Sequence, residues 1–442
     1  MTSMLRDIGA LHRRHVLTPW SVQATIDMPS IERGEGSYLY DVDGKRYLDL
    51  SAGLVAVNLG HAHPTVTRAI ADQAARLCYA SPQFFNATRA RYAERLSSHA
   101  PWKEGARAFF TTGGGEANED AVKMSRTITG RHKVLAAYRS FHGSAPGAGT
   151  LTGENRRWPN EPGIPGIVHF FAPNIYNSPF DTRDPKTEIE RAIAHLELVL
   201  TYENPKSIAA ILIEPVVGTN GAIPLPVEYL QRVREICTEH EIVLIFDEVM
   251  CGFGRTGAAF AAVRFGIEPD MITFAKASTS AYVPLGGVLV RETLAQFFDT
   301  RPLPCGHTYS GHPLAIAAAN AALDAYESEH LFERAREIEE WIREDLAAVA
   351  ARAPVIGDAR GVGAFWAVEL VKDRETREPV VPWQGPNPGP IGTILAKLRE
   401  RGVYAFGRYN VILITPPLTI SREELREGVN ALGDVLEEFS CA

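Results

Sequence analysis

Between residues 106 and 291 short apolar runs alternate with amphipathic segments, a rhythm that few folds accept. "ARAFFTT" precedes "EANEDAVKMSRTITG", which gives way to "HKVLAAY". "SIAAILIEPVVG" precedes "PVEYLQRVREICTEHE", which gives way to "IVLIF", and "DMITFAK" and "LGGVLV" follow. Apolar runs without polar alternation read as strands buried on both faces. Strands that alternate with helices form a largely parallel sheet between helical layers. The fold class is therefore α/β. The rhythm starts near residue 64, where "PTVTRAIADQAARL" has helical periodicity and Pro64 suits a first turn.

The flanks differ. "GSYLYDVDGKRYLDL" (36–50) reads as a hairpin around an Asp-Gly turn. A helix-rich stretch from about 313 to 350 leads to a last segment, 354–442, with strand-like "GAFWAVELV" and "VILIT" and a Pro/Gly linker, "PWQGPNPGP". A chain of 442 residues is too long for one small core. We assign 61–325 to a large domain, and 1–60 with 326–442 to a smaller α+β domain built from both ends. Residues 151–185, rich in Pro, Asn and Gly, are expected to form a long irregular excursion.

Bulk properties narrow the function classes. The formal net charge of −8 argues against a nucleic-acid surface and against attraction to anionic membranes. Five scattered cysteines with no C-x-x-C pair fit a reduced, cytoplasmic protein without structural zinc. The N-terminus lacks the apolar core of a secretory signal, and no stretch approaches the roughly 20 apolar residues of a membrane span.

Ligands of such a sheet bind at the carboxyl ends of its strands, and four segments fall there. In "TTGGGEANEDAVKMSR" (111–126) glycines open a helix, either as an anion cradle or as a plain turn. In "YRSFHG" (138–143), Phe141 and His142 offer a flat face for an aromatic ligand, or simply pack. "IVLIFDEVMCGFGRTG" (242–257) ends a buried run on Asp247 and Glu248. A buried carboxylate needs a cationic partner, here a protonated ring nitrogen or an arginine such as Arg255. "MITFAKASTSAYVPLGG" places Lys276 at the end of an apolar strand, where burial makes an amine nucleophilic, unless the side chain snorkels to water. Together, a phosphate cradle, a stacking aromatic, an acid for a ring nitrogen and a lysine are the contacts that pyridoxal 5'-phosphate requires. Lys276 would hold the cofactor's aldehyde as a Schiff base and carry the proton. Asp247 would keep its ring nitrogen charged.

At this point the chain resembles a class III aminotransferase of the pyridoxal-phosphate fold type I group. The resemblance runs from "GSYLYDVDGKRYLDL" and "NLGHAHP" through "GGGEANED", "FHG", "IEPVVG", "DEVMCGFGRTG" and "FAKA" to "HTYSGHPLA" and "PPL". It implies a large domain with a mostly parallel seven-stranded sheet between helices. It also implies that Gly114 and Gly115 offer N–H groups to the phosphate, and that Phe141 and Val249 lie on opposite ring faces. Glu214 is implied near the ring's phenolic side, and His142 among the cofactor-binding residues. Thr308 would reach the phosphate of a neighbouring subunit, which implies a homodimer with shared sites, or a tetramer of such dimers.

Departures from the family pattern bear on the substrate. Relatives that use 2-oxoglutarate often carry a glutamate and an arginine where this chain has Thr219 and Leu413. The pattern is more similar to pyruvate-dependent ω-amino-acid and amine transaminases. In those a mobile arginine binds the substrate's acid group, and Arg408 is the candidate here. Met250 replaces a commoner glutamine beside the cofactor. Trp20, within "HVLTPWSVQ", and Phe85 are assigned to the wall of the substrate pocket, and the segment around Trp20 is similar to taurine–pyruvate transaminases. The expected activity is ping-pong transfer of an amino group from an ω-amino acid or amine, such as taurine or a β-alanine-like compound, to pyruvate. Alternatives are a mutase, epimerase or decarboxylase of the same fold, a 2-oxoglutarate-dependent transaminase, or a non-enzymatic binder.

Overall fold

The computed structural model describes residues 8–383 and 389–440. Most of the "PWQGPNPGP" linker and Cys441 lie outside the described residues. At the centre is a seven-stranded sheet: β1 (Ala106–Thr111), β2 (Lys133–Ala137), β3 (Ile167–Phe170), β4 (Ile208–Ile213), β5 (Val243–Asp247), β6 (Met271–Phe274) and β7 (Gly286–Arg291). Their order is β1-β7-β6-β5-β4-β2-β3, and only β7 runs against its neighbours. Every residue of β4 and β5 is buried. Their runs are continuously apolar, apart from the terminal Asp247, because helices cover both faces and no side faces water.

The stretch expected to be one irregular excursion holds β3, the outer strand of this sheet, paired with β2 from Val134↔Ile167 to Ala137↔Phe170. Pro and Gly around "GIVHFF" hid it. The strand has only four residues, too few to show a periodicity.

The two ends of the chain meet. Strands Ile31–Glu35, Tyr38–Asp41 and Arg46–Asp49 form an antiparallel ribbon, and Val403–Tyr404 adds to it in parallel. Its turn is held by Asp41, whose Oδ1 accepts from the backbone of Asp43 and Lys45, while Gly44 takes φ 83°. A second sheet joins Ile356–Val362, Phe365–Leu370, Val411–Ile414 and Gly407–Arg408. Arg255, fully buried, ties this part to the central domain by donating to the carbonyls of Ala364 (3.0 Å) and Pro416 (2.6 Å) and to Asn58 Oδ1. No described helix is long and apolar enough to cross a membrane.

Candidate active site

A cavity of about 350 Å³ opens where β1, β2, β4, β5 and β6 end. Its floor is laid out by strand register. β5 and β6 run side by side with Asp247 paired to Thr273, so Lys276 follows three residues beyond that pair. The 29-residue interval in sequence is thus one return between adjacent parallel strands.

Asp247 is nearly inaccessible, and three groups hold it. Its Oδ2 accepts from Asn118 Nδ2 (2.7 Å) and pairs with His142 Nδ1 (2.7 Å), and its Oδ1 accepts from the Val249 backbone (3.0 Å). Thr273 Oγ1 donates to Asn118 Oδ1 (2.7 Å), which fixes the amide with its nitrogen toward the acid. Arg255 is elsewhere, so the structural salt bridge considered for Asp247 is absent. His142 lines the cavity with a buried side chain, and its Nδ1 is committed to Asp247, where it supports the acid. Among the described residues its Nε2 has no hydrogen-bond partner.

The neighbouring acid goes the other way. Glu248 accepts from the backbone of Ala262 (2.8 Å) and Ala261, at the start of the Ala261–Phe265 helix. Burial still pushes it up to about 8. Two adjacent carboxylates at one strand end therefore have separate tasks, since side chains alternate across a strand.

Lys276 lines the cavity in a left-handed backbone conformation, φ 42°. Such strain costs a non-glycine residue about 1–3 kcal/mol and persists where the surroundings over-determine it. Burial lowers its pKa, against the attraction of Asp247 and Glu214. Glu214, at the end of β4, is pushed up to about 7 by burial and accepts from the backbone of Phe141 (2.9 Å) and Gly218 (2.7 Å). At the opposite wall the Gly114–Thr129 helix begins without a side-chain cap, leaving its first N–H groups toward the cavity. A Cβ on Gly114 would lie 2.7 Å from Val249 Cγ2, so glycine is required there by close approach. A buried lysine, a clamped acid, an uncapped helix start and flanking Phe141 and Val249 fit the aldehyde, ring nitrogen, phosphate and ring faces of pyridoxal phosphate.

The mouth is assembled from distant segments. Arg156 lies 3.7 Å above the Phe141 ring and donates to Thr219 Oγ1 (2.8 Å). Trp20, largely exposed, meets Phe141 edge-on at 6.0 Å. Arg156 and Trp20 reach the cavity only through Phe141, and Arg408 is not on the cavity wall either. It bonds Glu154 Oε2 (2.8 Å), Asn155 Oδ1 (2.7 Å) and Tyr409 Oη (3.0 Å) beside Arg156. Thr308 and Phe85 are exposed and outside this chain's own cavity, on a face that also shows Phe84, Tyr79 and Tyr309. A larger groove of about 680 Å³ at the amino ends of the strands is lined by Arg131, Arg234 and Arg291, each already ion-paired.

Sequence reading missed Asn118, Thr273, Arg156 and Glu154. Asn118 carried a signal, being a polar residue in register with the buried Ala121, Val122 and Ser125 of one helix face. Thr273 sits mid-run in "MITF", where a hydroxyl needs a partner. Arg156 and Glu154 carried none, since loop position gave no hint of what they face.

The family model "Aminotransferase class-III" matches residues 21–436. Taurine:2-oxoglutarate aminotransferase from Bifidobacterium kashiwanohense, solved with PLP and glutamate, is 40% identical with a TM-score of 0.95, covering 98% of each chain. An amine transaminase from an uncultivated Pseudomonas species, solved PLP-bound, is 34% identical with a TM-score of 0.92, covering 96% of this chain and 98% of that one. The 5-aminovalerate aminotransferase DavT of Pseudomonas aeruginosa is 33% identical over 438 residues, 97% of this chain and 98% of its own. Sequence, fold and cavity agree: the chain belongs to the class III aminotransferases and is a pyridoxal-phosphate-dependent enzyme.

Proposed function

We propose that this aminotransferase takes the amino group of an ω-amino acid with a distal anionic group, taurine-like or β-alanine-like, and delivers it to pyruvate in two half-reactions. Bound in the cavity, pyridoxal phosphate supplies a ring that withdraws electrons and acidifies the C–H bond beside the amino group. Lys276 Nζ takes that proton and returns it at the neighbouring position, and burial, which lowers its pKa, favours the neutral amine that a base must be. Asp247, oriented by Asn118 and His142, holds the ring nitrogen in its charged form. Gly114 and Gly115 offer N–H groups to the phosphate, Phe141 and Val249 confine the ring, and Glu214 lies on its phenolic side.

The observation that carries the substrate reading is the Arg156 guanidinium over Phe141, a fixed positive charge at the rim of the cavity. It binds a distal sulfonate or carboxylate, with Arg408 behind it and Trp20 walling the same rim. Initial rates on the loaded enzyme test this. Donors ending in an acid should exceed amines of equal length without one by about 10-fold or more in kcat/KM. Equal rates would end the reading.

A second acceptor, 2-oxoglutarate, is favoured by one observation. Leu413 is no arginine, yet Arg156 donates to Thr219, so a guanidinium stands beside the Thr219 position. The 40%-identical relative carries 2-oxoglutarate in its name. Running each acceptor against one donor decides between them.

The exposed aromatic face with Thr308 and Phe85 supports a homodimer in which each chain completes its neighbour's site. Mixing inactive Lys276→Ala with inactive Thr308→Asp should then restore about a quarter of wild-type activity, because half the dimers are hybrid and each has one intact site. No recovery on mixing would place Thr308 outside the shared site.

A further inference from the structure

The Gly114–Thr129 helix, which opens at the cavity, carries a buried acid in its second turn. Asp120 is almost inaccessible, and a carboxylate so placed needs donors. Its two oxygens face different ones: Oδ1 lies 3.4 Å from Lys123 Nζ, and Oδ2 pairs with His307 Nε2 at 2.5 Å. Lys123 is half exposed and belongs to the same helix, so that contact holds little together. His307 comes from far along the chain, and its side chain is mostly covered. A carboxylate only accepts, so Nε2 is the ring nitrogen that donates.

His307 immediately precedes Thr308, which is exposed. The backbone around Thr308 is tied on both sides. Its carbonyl accepts from Tyr79 Oη (2.9 Å), and Ser310 Oγ donates to the Phe110 carbonyl (2.7 Å) in β1. The Ser310 N–H closes a turn onto the His307 carbonyl (3.1 Å). On the other side the His307 ring lies 6.0 Å from that of Phe109, and Cys305 Sγ approaches the Asp120 carbonyl (3.8 Å). Asp120 thus holds this segment to the helix at two points, through His307 and through Cys305. A hydroxyl that is to bond a phosphate must be held to within about 0.5 Å, and an exposed segment achieves that only when its neighbours are fixed.

We propose that Asp120, acting through His307, positions Thr308 for the cofactor phosphate of a second copy of this chain. One helix then serves its own phosphate from its first turn and a neighbour's from its second. Asp120 is a positioning residue. The proposal rests on the reading that two chains share their sites.

Pyridoxal, which lacks the phosphate, separates this role from support of the fold. Apoenzyme of the full chain is titrated with pyridoxal phosphate and with pyridoxal, and bound cofactor is read from its absorbance. Thr308→Val is the reference: it should bind pyridoxal phosphate about 10-fold more weakly and pyridoxal within about 2-fold of wild type. Asp120→Ala should show the same selective loss. An equal loss of both ligands, or no loss, makes Asp120 a support for its helix and overturns the proposal. Should Asp120→Ala not fold, His307→Ala is judged by the same ratio. Adding Asp120→Ala to Thr308→Val should cost less than about 2-fold more, because the hydroxyl that Asp120 places is already gone. A larger further loss would locate its effect in the helix's own cradle and overturn the proposal. If Thr308→Val binds both ligands as wild type does, the shared-site reading falls and this proposal falls with it. If Thr308→Val alone is selective, the shared site stands and only this proposal falls.

Discussion

The floor of the cavity and its rim are built by opposite means. On the floor, Asp247 ends β5, Glu214 comes directly after β4 and Lys276 two residues after β6, and strand pairing fixes their spacing. At the rim, Trp20, the Glu154–Arg156 pair and Arg408 come from three separate stretches that meet through side chains. A scaffold of parallel strands can hold one chemistry rigidly, while loops above it vary the substrate. Substitutions on the floor should therefore damage every substrate alike, and those at the rim should discriminate.

The sharpest break in that contrast would come from Lys276. Lys276→Ala should lower turnover by about 10⁴-fold or more for all donors, since base and attachment point are lost together. Cofactor should still bind, but borohydride should fix no label at position 276, as read by peptide mass. Retained turnover would remove the floor from the chemistry.

Asp247→Asn should cost about 10²–10³-fold, again without regard to donor, because the ring nitrogen loses its counter-charge. A donor-dependent loss would mean that Asp247 belongs functionally to the rim.

Arg156→Met should behave differently. kcat/KM for acid-ended donors should fall by about 10–100-fold through KM, with plain amines little changed. A uniform loss in kcat would erase the distinction between the two regions.

Smaller effects sharpen the account of the floor. Thr273→Val removes the hydroxyl that orients Asn118. A drop of about fivefold in kcat, with KM unchanged and a shifted pH dependence of cofactor absorbance, is expected. An unaltered pH profile would assign Thr273 to packing alone.

Glu248 offers a readout of stability. Burial holds its pKa near 8 in the folded chain, well above the ordinary carboxylate range. The folded state therefore keeps a proton that the unfolded chain releases from about pH 4.3 upward, and stability is lost as pH rises through that window toward about 8. Glu248→Gln cannot ionise, so its melting temperature should fall less than wild type's between about pH 6 and about pH 9. Parallel slopes would mean that the two backbone N–H groups already stabilise the charged form fully.

What was legible follows the same division. The β4 and β5 runs, the Gly114–Thr129 helix, the hairpin at 38–49 and the strand-end acid and lysine all showed in local pattern, and each sits where that pattern placed it. Burial on both faces forces an unbroken apolar run, and a strand end in such a run must be a designed polar position. β3 escaped because four residues between turns carry too little pattern. His142 was placed at a strand end, but no local pattern showed that its Nδ1 bonds Asp247.

By itself, then, the sequence determined the α/β layering and the spacing of Asp247 and Lys276 at adjacent strand ends. Those depend on periodicity and register, which act over a few residues or between neighbouring strands. Tertiary structure alone decided that Thr273 reaches Asp247 through Asn118, that Glu248 caps a helix, and that Glu154 stands between Arg156 and Arg408. Apart from Glu154 with Arg156, those pairings join residues well separated in the chain, and no local pattern encodes which buried charge will face which.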